Sequence, residues 1–261
     1  MAVFRARAVA VAAGVPAVFA VLAGLLAIAT PATEATAAEP AVVPAAAPAA
    51  AASDTFSVTR DLVRSARPPM KVTFRRATQD PVVFITIDDG VTKDRRGLRY
   101  VEQSRLPVTA FVSAWTVKDR AAYFERIARW GSIQNHSATH ASLARSTTDL
   151  DHEICYTQRA LARNFGSRPW MMRPPYGAGY ARPLAQVTAA RCGITDFVMW
   201  DAVVENGRLT QAGKGLRSGS IILLHFTPNL EKDLKAAVKA ARRAGLTPAN
   251  LADYLPAPVP G

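Results

Sequence analysis

Asp88 and Asp89 stand side by side where the apolar run Val82 to Ile87 ends, and Gly90 follows them. Adjacent carboxylates at the end of a buried strand are costly unless something pairs with them, although Asp-Asp-Gly also makes a good turn or helix N-cap. The histidines add a second signal, because the chain has only four. His136 and His140 are four residues apart, a spacing that in a helical turn puts both on one face, able to chelate one metal ion. With a nearby carboxylate they make the two-histidine-one-carboxylate set that leaves a zinc position open for water. His225 closes the run Ile221-Ile222-Leu223-Leu224. A histidine there is ordinarily structural, but here it is the third polar feature at a strand end. His152, between Asp151 and Glu153 on a helical stretch, reads as solvated surface. The fourth feature is Arg173-Pro174-Pro175-Tyr176-Gly177. Its prolines and glycine fix the backbone beside an arginine able to orient a carboxylate; the plainer alternative is a rigid turn. Trp115, Trp130, Trp170 and Trp200 read as core, with Trp200 able to line a cleft.

The elements that must carry these residues are short and rich in β-branched side chains. Val82 to Ile87, Val108 to Val112 and Ile221 to Leu224 are continuous apolar runs, with weaker ones at Gly131 to Gln134, Trp170 to Met172 and Phe197 to Trp200. Continuous hydrophobicity predicts strands covered on both faces, hence a parallel sheet. Between them, Asp119 to Trp130, Thr148 to Phe165 and Leu230 to Ala244 have helical spacing. Strand-helix alternation predicts an α/β domain, a barrel in preference to an open sheet, with chemistry at the C-terminal strand ends. No glycine-rich phosphate loop follows the first strand, which argues against a dinucleotide site.

The 261 residues are 49% apolar and 20% charged, which excludes a wholly disordered chain, a coiled coil and a multi-span membrane protein. A formal charge of +12 favours polyanionic surroundings: nucleic acid, anionic lipid or an acidic wall polymer. Residues 1–38 read as an export signal. Arg5 and Arg7 precede the apolar run Ala8 to Ala29, and Ala35-Thr36-Ala37 supplies a cleavage site. An uncleaved anchor is the alternative, since that run is long enough to span a bilayer. Export disfavours nucleic acid as the polyanion. Residues 39–80 form an Ala/Pro-rich linker and transition segment, and residues 81–256 a single domain. Cys155 and Cys192 are the only cysteines, compatible with one disulfide or with two buried thiols.

From Pro81 to Leu255 the chain resembles the polysaccharide deacetylases with a NodB-homology domain, metal-dependent carbohydrate esterases that remove acetyl groups. Thr86-Ile87-Asp88-Asp89-Gly90 is similar to their first motif and Asn135-His136-Ser137-Ala138-Thr139-His140 to their second. Arg173-Pro174-Pro175-Tyr176-Gly177 is similar to the third, and Leu223-Leu224-His225 to the fifth. The resemblance implies a distorted (β/α) barrel with Asp89, His136 and His140 holding a divalent metal, zinc foremost. It implies Asp88 as general base, Arg173 as its orienting partner and His225 as general acid. The backbone N–H of Tyr176 would help to hold the oxyanion.

The fourth motif departs from the family. Asp-x-x-Asp-Trp is expected after Trp200-Asp201, where this chain has Val203, Asn206 and Gly207. A carboxylate there is thought to hold and tune the acid histidine, so Asp201, Asp196 or Glu205 would have to substitute. The consequence expected is a limb of the pH profile shifted to lower pH, or reduced activity.

The function implied is that of a secreted or wall-associated deacetylase of an N-acetylated polysaccharide. Peptidoglycan is favoured by the basic charge; chitin oligomers and acetylated xylan are alternatives. The rival is a non-catalytic wall-binding protein that keeps the fold. The expected partner is the polysaccharide substrate, with no nucleic acid, no lasting membrane insertion after signal cleavage, and a monomeric chain.

Overall fold

The computed structural model describes residues 70–211 and 215–258. The expected signal segment 1–38 and the linker up to residue 69 lie outside the described residues. Ten strands form one sheet: β1 (Lys71–Thr73), β2 (Val82–Asp89), β3 (Val108–Val112), β4 (Ser132–Asn135), β5 (Met171–Met172), β6 (Asp196–Val198), β7 (Ala202–Glu205), β8 (Arg208–Gln211), β9 (Ser220–His225) and β10 (Thr247–Pro248). Their order is β1-β6-β5-β4-β3-β2-β9-β7-β8, with β10 paired to the start of β2. Among the described residues all strand pairings are parallel except the β7–β8 hairpin, and an isolated antiparallel bridge joins Arg75 and Ser220. The sheet is curled into a half-barrel with helices, as the sequence predicts. β1 falls inside the stretch expected to be a transition segment, so the sheet begins ahead of Pro81.

Alternation along β2 explains both layers. Val83, Ile85 and Ile87 face outward into a core shared with α1 (Arg95–Ser104) and with Leu230, Leu234 and Ala237. Phe84, Thr86 and Asp88 point the other way, into the concave side, where Phe84 joins Phe111, Met171, Val198 and Ile221. The aspartate is thus the last member of a buried inner row that turns polar from Thr86 onward.

Between the strands lie α2 (Ala114–Val117) and α3 (Ala121–Ala128), then a π-helical turn (Asp151–Tyr156) that continues into α4 (Thr157–Phe165). The helices α5 (Pro183–Arg191), α6 (Leu230–Arg243) and α7 (Leu251–Tyr254) follow. The patterns at 119–130, 148–165 and 230–244 become α3, the π turn with α4, and α6. The α1 helix, N-capped by the Asp94 carboxylate on the N–H groups of Arg96 and Gly97, was not singled out by periodicity. Among the described residues no helix is long and apolar enough to cross a membrane. Of the two readings left open for the cysteines, the disulfide holds: Cys155 is bonded to Cys192, with Cα atoms 5.3 Å apart. Trp115 departs from the expected core, being 54% exposed; its N–H donates to the carbonyl of Ala138, beside the second motif.

Candidate active site

Parallel register brings distant residues to one end of the sheet. Asp89 pairs with Val112, Val112 with Asn135, Asn135 with Met172 and Met172 with Phe197. On the other side Asp88 pairs with His225. The residues at and just beyond this row include Asp88, Asp89, His136, Arg173 and His225, so the expected site residues converge at the C-terminal strand ends. Among the described residues seven non-glycine positions have positive φ, and four are here: Asp89 (78°), Ser137 (70°), His140 (65°) and Tyr176 (60°). Such backbone conformations cost of order 1 kcal/mol or more each and gather where geometry is demanded. Gly90 (φ +84°) is required as well, since a Cβ there would sit 2.6 Å from Thr116 Oγ1 and 2.8 Å from Phe124.

His136 and His140 do not share a helical face. They lie on a loop after β4. Asn135 Oδ1 accepts the Ser137 N–H at 2.8 Å, and Ser137 Oγ accepts the His140 N–H at 3.0 Å. These side-chain bonds to backbone replace the helical ladder and turn both rings inward. Sequence spacing finds the pair but misreads its backbone. It also misses Glu153, which lies next to His152 in a stretch that reads as solvated. Glu153 is buried, and its carboxylate accepts from the N–H groups of Ala138 and Thr139 at 3.0 Å and the Thr139 hydroxyl at 2.6 Å. It clamps the loop that carries both histidines. Only its place on the helix face could have marked it as inward.

Arg173 is wholly buried and joins three strands. Its guanidinium donates to Asp88 Oδ1 at 2.7 Å, Thr86 Oγ1 at 2.8 Å and the carbonyls of Val198 and Met199 at 2.9 and 3.0 Å. It also stacks 4.4 Å from the Phe111 ring centre. Burial pulls its pKa down, and the Asp88 carboxylate opposes that. Removing one partner of such a pair typically costs about 3–5 kcal/mol, because the other charge is left buried alone. The carbonyl of Arg173 lies 2.7 Å from His136 Nδ1. A carbonyl only accepts, so Nδ1 carries a proton and Nε2 is the nitrogen turned to the site.

Asp89 Oδ1 is 3.2 Å from His136 Nε2 and 3.1 Å from His140 Nε2. That oxygen is buried yet has no hydrogen bond. The three ligand atoms lie within 4.8 Å of one another. Tetrahedral ligands about 2 Å from one cation would be separated by about 3.3 Å. A buried carboxylate oxygen without a hydrogen bond, facing two imidazole nitrogens at that spacing, fits a divalent cation. Burial alone would raise the Asp89 pKa, but the facing His136 and His140 outweigh it and hold the carboxyl well below its usual range. Tyr176, on a turn between Pro175 and Gly177, is 72% exposed, with its ring 4.6 Å from that of His140. Beside these two rings a cleft of about 630 Å³ opens, lined also by Ser142, Arg145 and Thr148.

Two of the substitutes expected for the fourth-motif carboxylate, Asp201 and Asp196, are elsewhere. Asp201 accepts from the Ile221 N–H and the Ser220 hydroxyl, at the start of β9, the end remote from His225. Asp196 faces Lys71, and Glu205 is exposed. Asn206 and Gly207 form the β7–β8 turn. Strand β7 runs beside β9 with Val203 opposite Leu223, so two residues on, Glu205 and this turn come level with His225.

An α/β half-barrel with a two-histidine-one-carboxylate cluster and an arginine-anchored aspartate at its C-terminal mouth defines a candidate cation-dependent hydrolase. The comparisons narrow the class. Residues 75–195 match the family model described as polysaccharide deacetylase. An uncharacterised protein of Streptomyces coelicolor is 35% identical over 209 residues, covering 75% of this chain and 81% of that one. The peptidoglycan-N-acetylglucosamine deacetylase of Bacillus cereus is 29% identical over 154 residues, covering 56% of each chain, so the match spans about half of that relative. Among solved structures, a mutant of a family 4 carbohydrate esterase pseudoenzyme, described as having restored activity, superposes with a TM-score of 0.60. It is 19% identical, with 72% of each chain covered, and supports the fold. The chain belongs to the polysaccharide deacetylase family, and with it to the hydrolases that cleave carbon–nitrogen bonds of acetylated polysaccharides.

Proposed function

We propose that this protein is an exported, divalent-cation-dependent deacetylase of an N-acetylated wall polysaccharide, peptidoglycan foremost. The observation that carries the reading is Arg173 holding Asp88 at 2.7 Å beside the Asp89–His136–His140 cluster. Asp88 Oδ2 reaches to 3.8 Å from His136 Nε2, so the free carboxylate oxygen faces the same space as the cluster.

A zinc-like cation held by Asp89, His136 and His140 would supply Lewis-acid polarisation of the acetyl carbonyl and acidify water. The chain's own groups do the rest. Arg173 keeps Asp88 oriented, so that its Oδ2 takes a proton from the attacking water. The water oxygen bonds to the acetyl carbon, and the backbone N–H of Tyr176 donates to the oxygen where charge develops. The C–N bond then breaks, and His225, protonated, gives its proton to the departing amine nitrogen. Acetate and a free amine leave. The cleft beside His140 and Tyr176 is open enough for a sugar next to the reacting one. The charge of +12 supports an anionic polymer, and residues 1–38 supply the export signal. The printed function of the Bacillus cereus relative supports peptidoglycan over chitin oligomers or acetylated xylan.

Acetate release from solubilised peptidoglycan tests this directly. Release should vanish with chelator and return with zinc. Asp88→Asn should lower it by two orders of magnitude or more, roughly the worth of a positioned general base, while zinc binding persists. Release equal in the variant and the parent would overturn the role of Asp88. A zinc-loaded protein that binds peptidoglycan but frees no acetate from it, from chitin oligomers or from xylan would be the non-catalytic binder instead.

A further inference from the structure

A second cleft, of about 420 Å³, shares no residue with the one beside His140. Lys93, Arg95, Arg99 and Arg126 line it, together with Leu98, Ala122 and Tyr123. Arg95 and Arg99, four apart on α1, share a face, and Arg126 comes from α3. Lys93 is held in place. Its ammonium donates to the carbonyls of Gly90 at 2.5 Å and Thr116 at 2.8 Å, and lies 5.1 Å from the Phe124 ring centre. An ammonium has three N–H bonds, so one is left to donate.

The charge around this cleft is one-sided. Residues 93–130 hold nine Lys and Arg against four Asp and Glu. Two of those carboxylates are already engaged: Asp94 accepts the N–H groups of Arg96 and Gly97, and Glu102 takes Arg126 at 2.7 and 2.6 Å. Among the described residues no carboxylate forms an ion pair with Lys93, Arg95 or Arg99. Burial, together with the charge of Arg120, pulls the Lys93 pKa down. The cleft thus gathers more positive charge than its own residues neutralise.

We propose that this cleft binds the phosphodiester groups of an anionic wall polymer, at a site separate from Asp88 and the histidine cluster. A carboxylate is planar, and one arginine fork satisfies it. Here donors converge from a loop and two helices, which suits a tetrahedral anion with oxygens pointing several ways. Cations repeated along one helix face suit a chain of such groups. The export signal read from residues 1–38 favours a wall polymer over nucleic acid. Nothing in this requires the catalytic site: anchoring on such a polymer holds the protein beside the wall whether or not it frees acetate.

Fluorescence anisotropy of the full chain with labelled poly(glycerol phosphate) tests the site, and binding should weaken as salt is added. Arg95→Gln with Arg99→Gln should lower the affinity about tenfold or more, the loss expected for two charge-assisted contacts. Both side chains are exposed, so the thermal midpoint should stay where it is. Arg159→Gln with Arg163→Gln removes the same charge at the same spacing from α4, and should leave affinity within about twofold. The NMR signals of the Arg95, Arg99 and Arg126 Nε–H groups should move when the polymer is added. Absence of binding, or an equal loss from both pairs of substitutions, would overturn the proposal. Equal affinity for poly(glutamate) would overturn the phosphodiester preference. Tighter binding to single-stranded DNA or to phosphatidylglycerol vesicles, lost in the Arg95 and Arg99 variant, would overturn the wall polymer as partner. Polymer binding by a protein that never releases acetate would leave this site standing and refute only the deacetylase reading.

Discussion

With its Nε2 3.1 Å from Asp89 Oδ1, His140 has its pKa raised above the ordinary 6.5 by that carboxylate, against the opposing effect of burial. A raised value makes a definite prediction for the cation-free protein. The contribution of His140 to stability is fully present below pH 6.5 and is lost as pH rises through the raised value. Thermal melts of chelated protein should therefore show falling stability on the alkaline side. A zinc ion held by the cluster would take the place of that proton, so melts of the zinc-loaded protein should lack that decline, and binding near pH 6 should release protons. Calorimetry in two buffers of different ionisation enthalpy measures the release; an identical apparent enthalpy in both would exclude it. Most site residues at this scale were legible because their chemistry is unusual where they stand. Paired aspartates and a histidine at the ends of apolar runs each have a plainer reading, as a turn and as a structural side chain, and their recurrence at strand ends is what marked them. Glu153 was not legible, since it lies among charges on a helix and only the fold shows which face is buried.

At the scale of elements, the histidine loop owes its shape to the helix behind it. The π-helical turn places Glu153 under Ala138 and Thr139, and Asn135 Nδ2 reaches back to the carbonyl of Ile154 and to Gln158. Glu153→Gln weakens three bonds to the loop and leaves every ligand in place. Zinc affinity should fall by about 10- to 100-fold, the range seen when supports of metal ligands are removed, as read by competition with a chromophoric chelator. The same turn carries Cys155, tied to Cys192 at the end of α5 across 37 residues. Reduction should destabilise the fold by about 2–4 kcal/mol, seen as a lower midpoint in denaturant. A weaker zinc site in the reduced protein would show that the bridge also steadies Glu153. Strands β2, β3 and β9 were readable as unbroken apolar runs. The two-residue β5 and β10 and the polar β7–β8 hairpin are too short or too mixed to leave a period.

For the whole molecule, the site depends on β2 lying between β3 and β9. The Thr86 hydroxyl donates to the carbonyl of Ile222, 136 residues away, and helps hold the strand from which Asp88 and Asp89 project. A chain ending before Ser220 keeps Asp88, Asp89, His136, His140 and Arg173 but loses β9 and α6. It should fail to retain zinc through gel filtration, whereas the full chain should retain it; equal retention would mean the cluster assembles locally. Contacts so far apart in sequence make closure slow compared with local folding. The consequence is one of timing. During synthesis the five residues are made before β9 is, and a site that depends on β9 brings them together only when that strand has been laid beside β2. A cation held by those residues would then mark completion, binding the finished fold and passing over every shorter version of it.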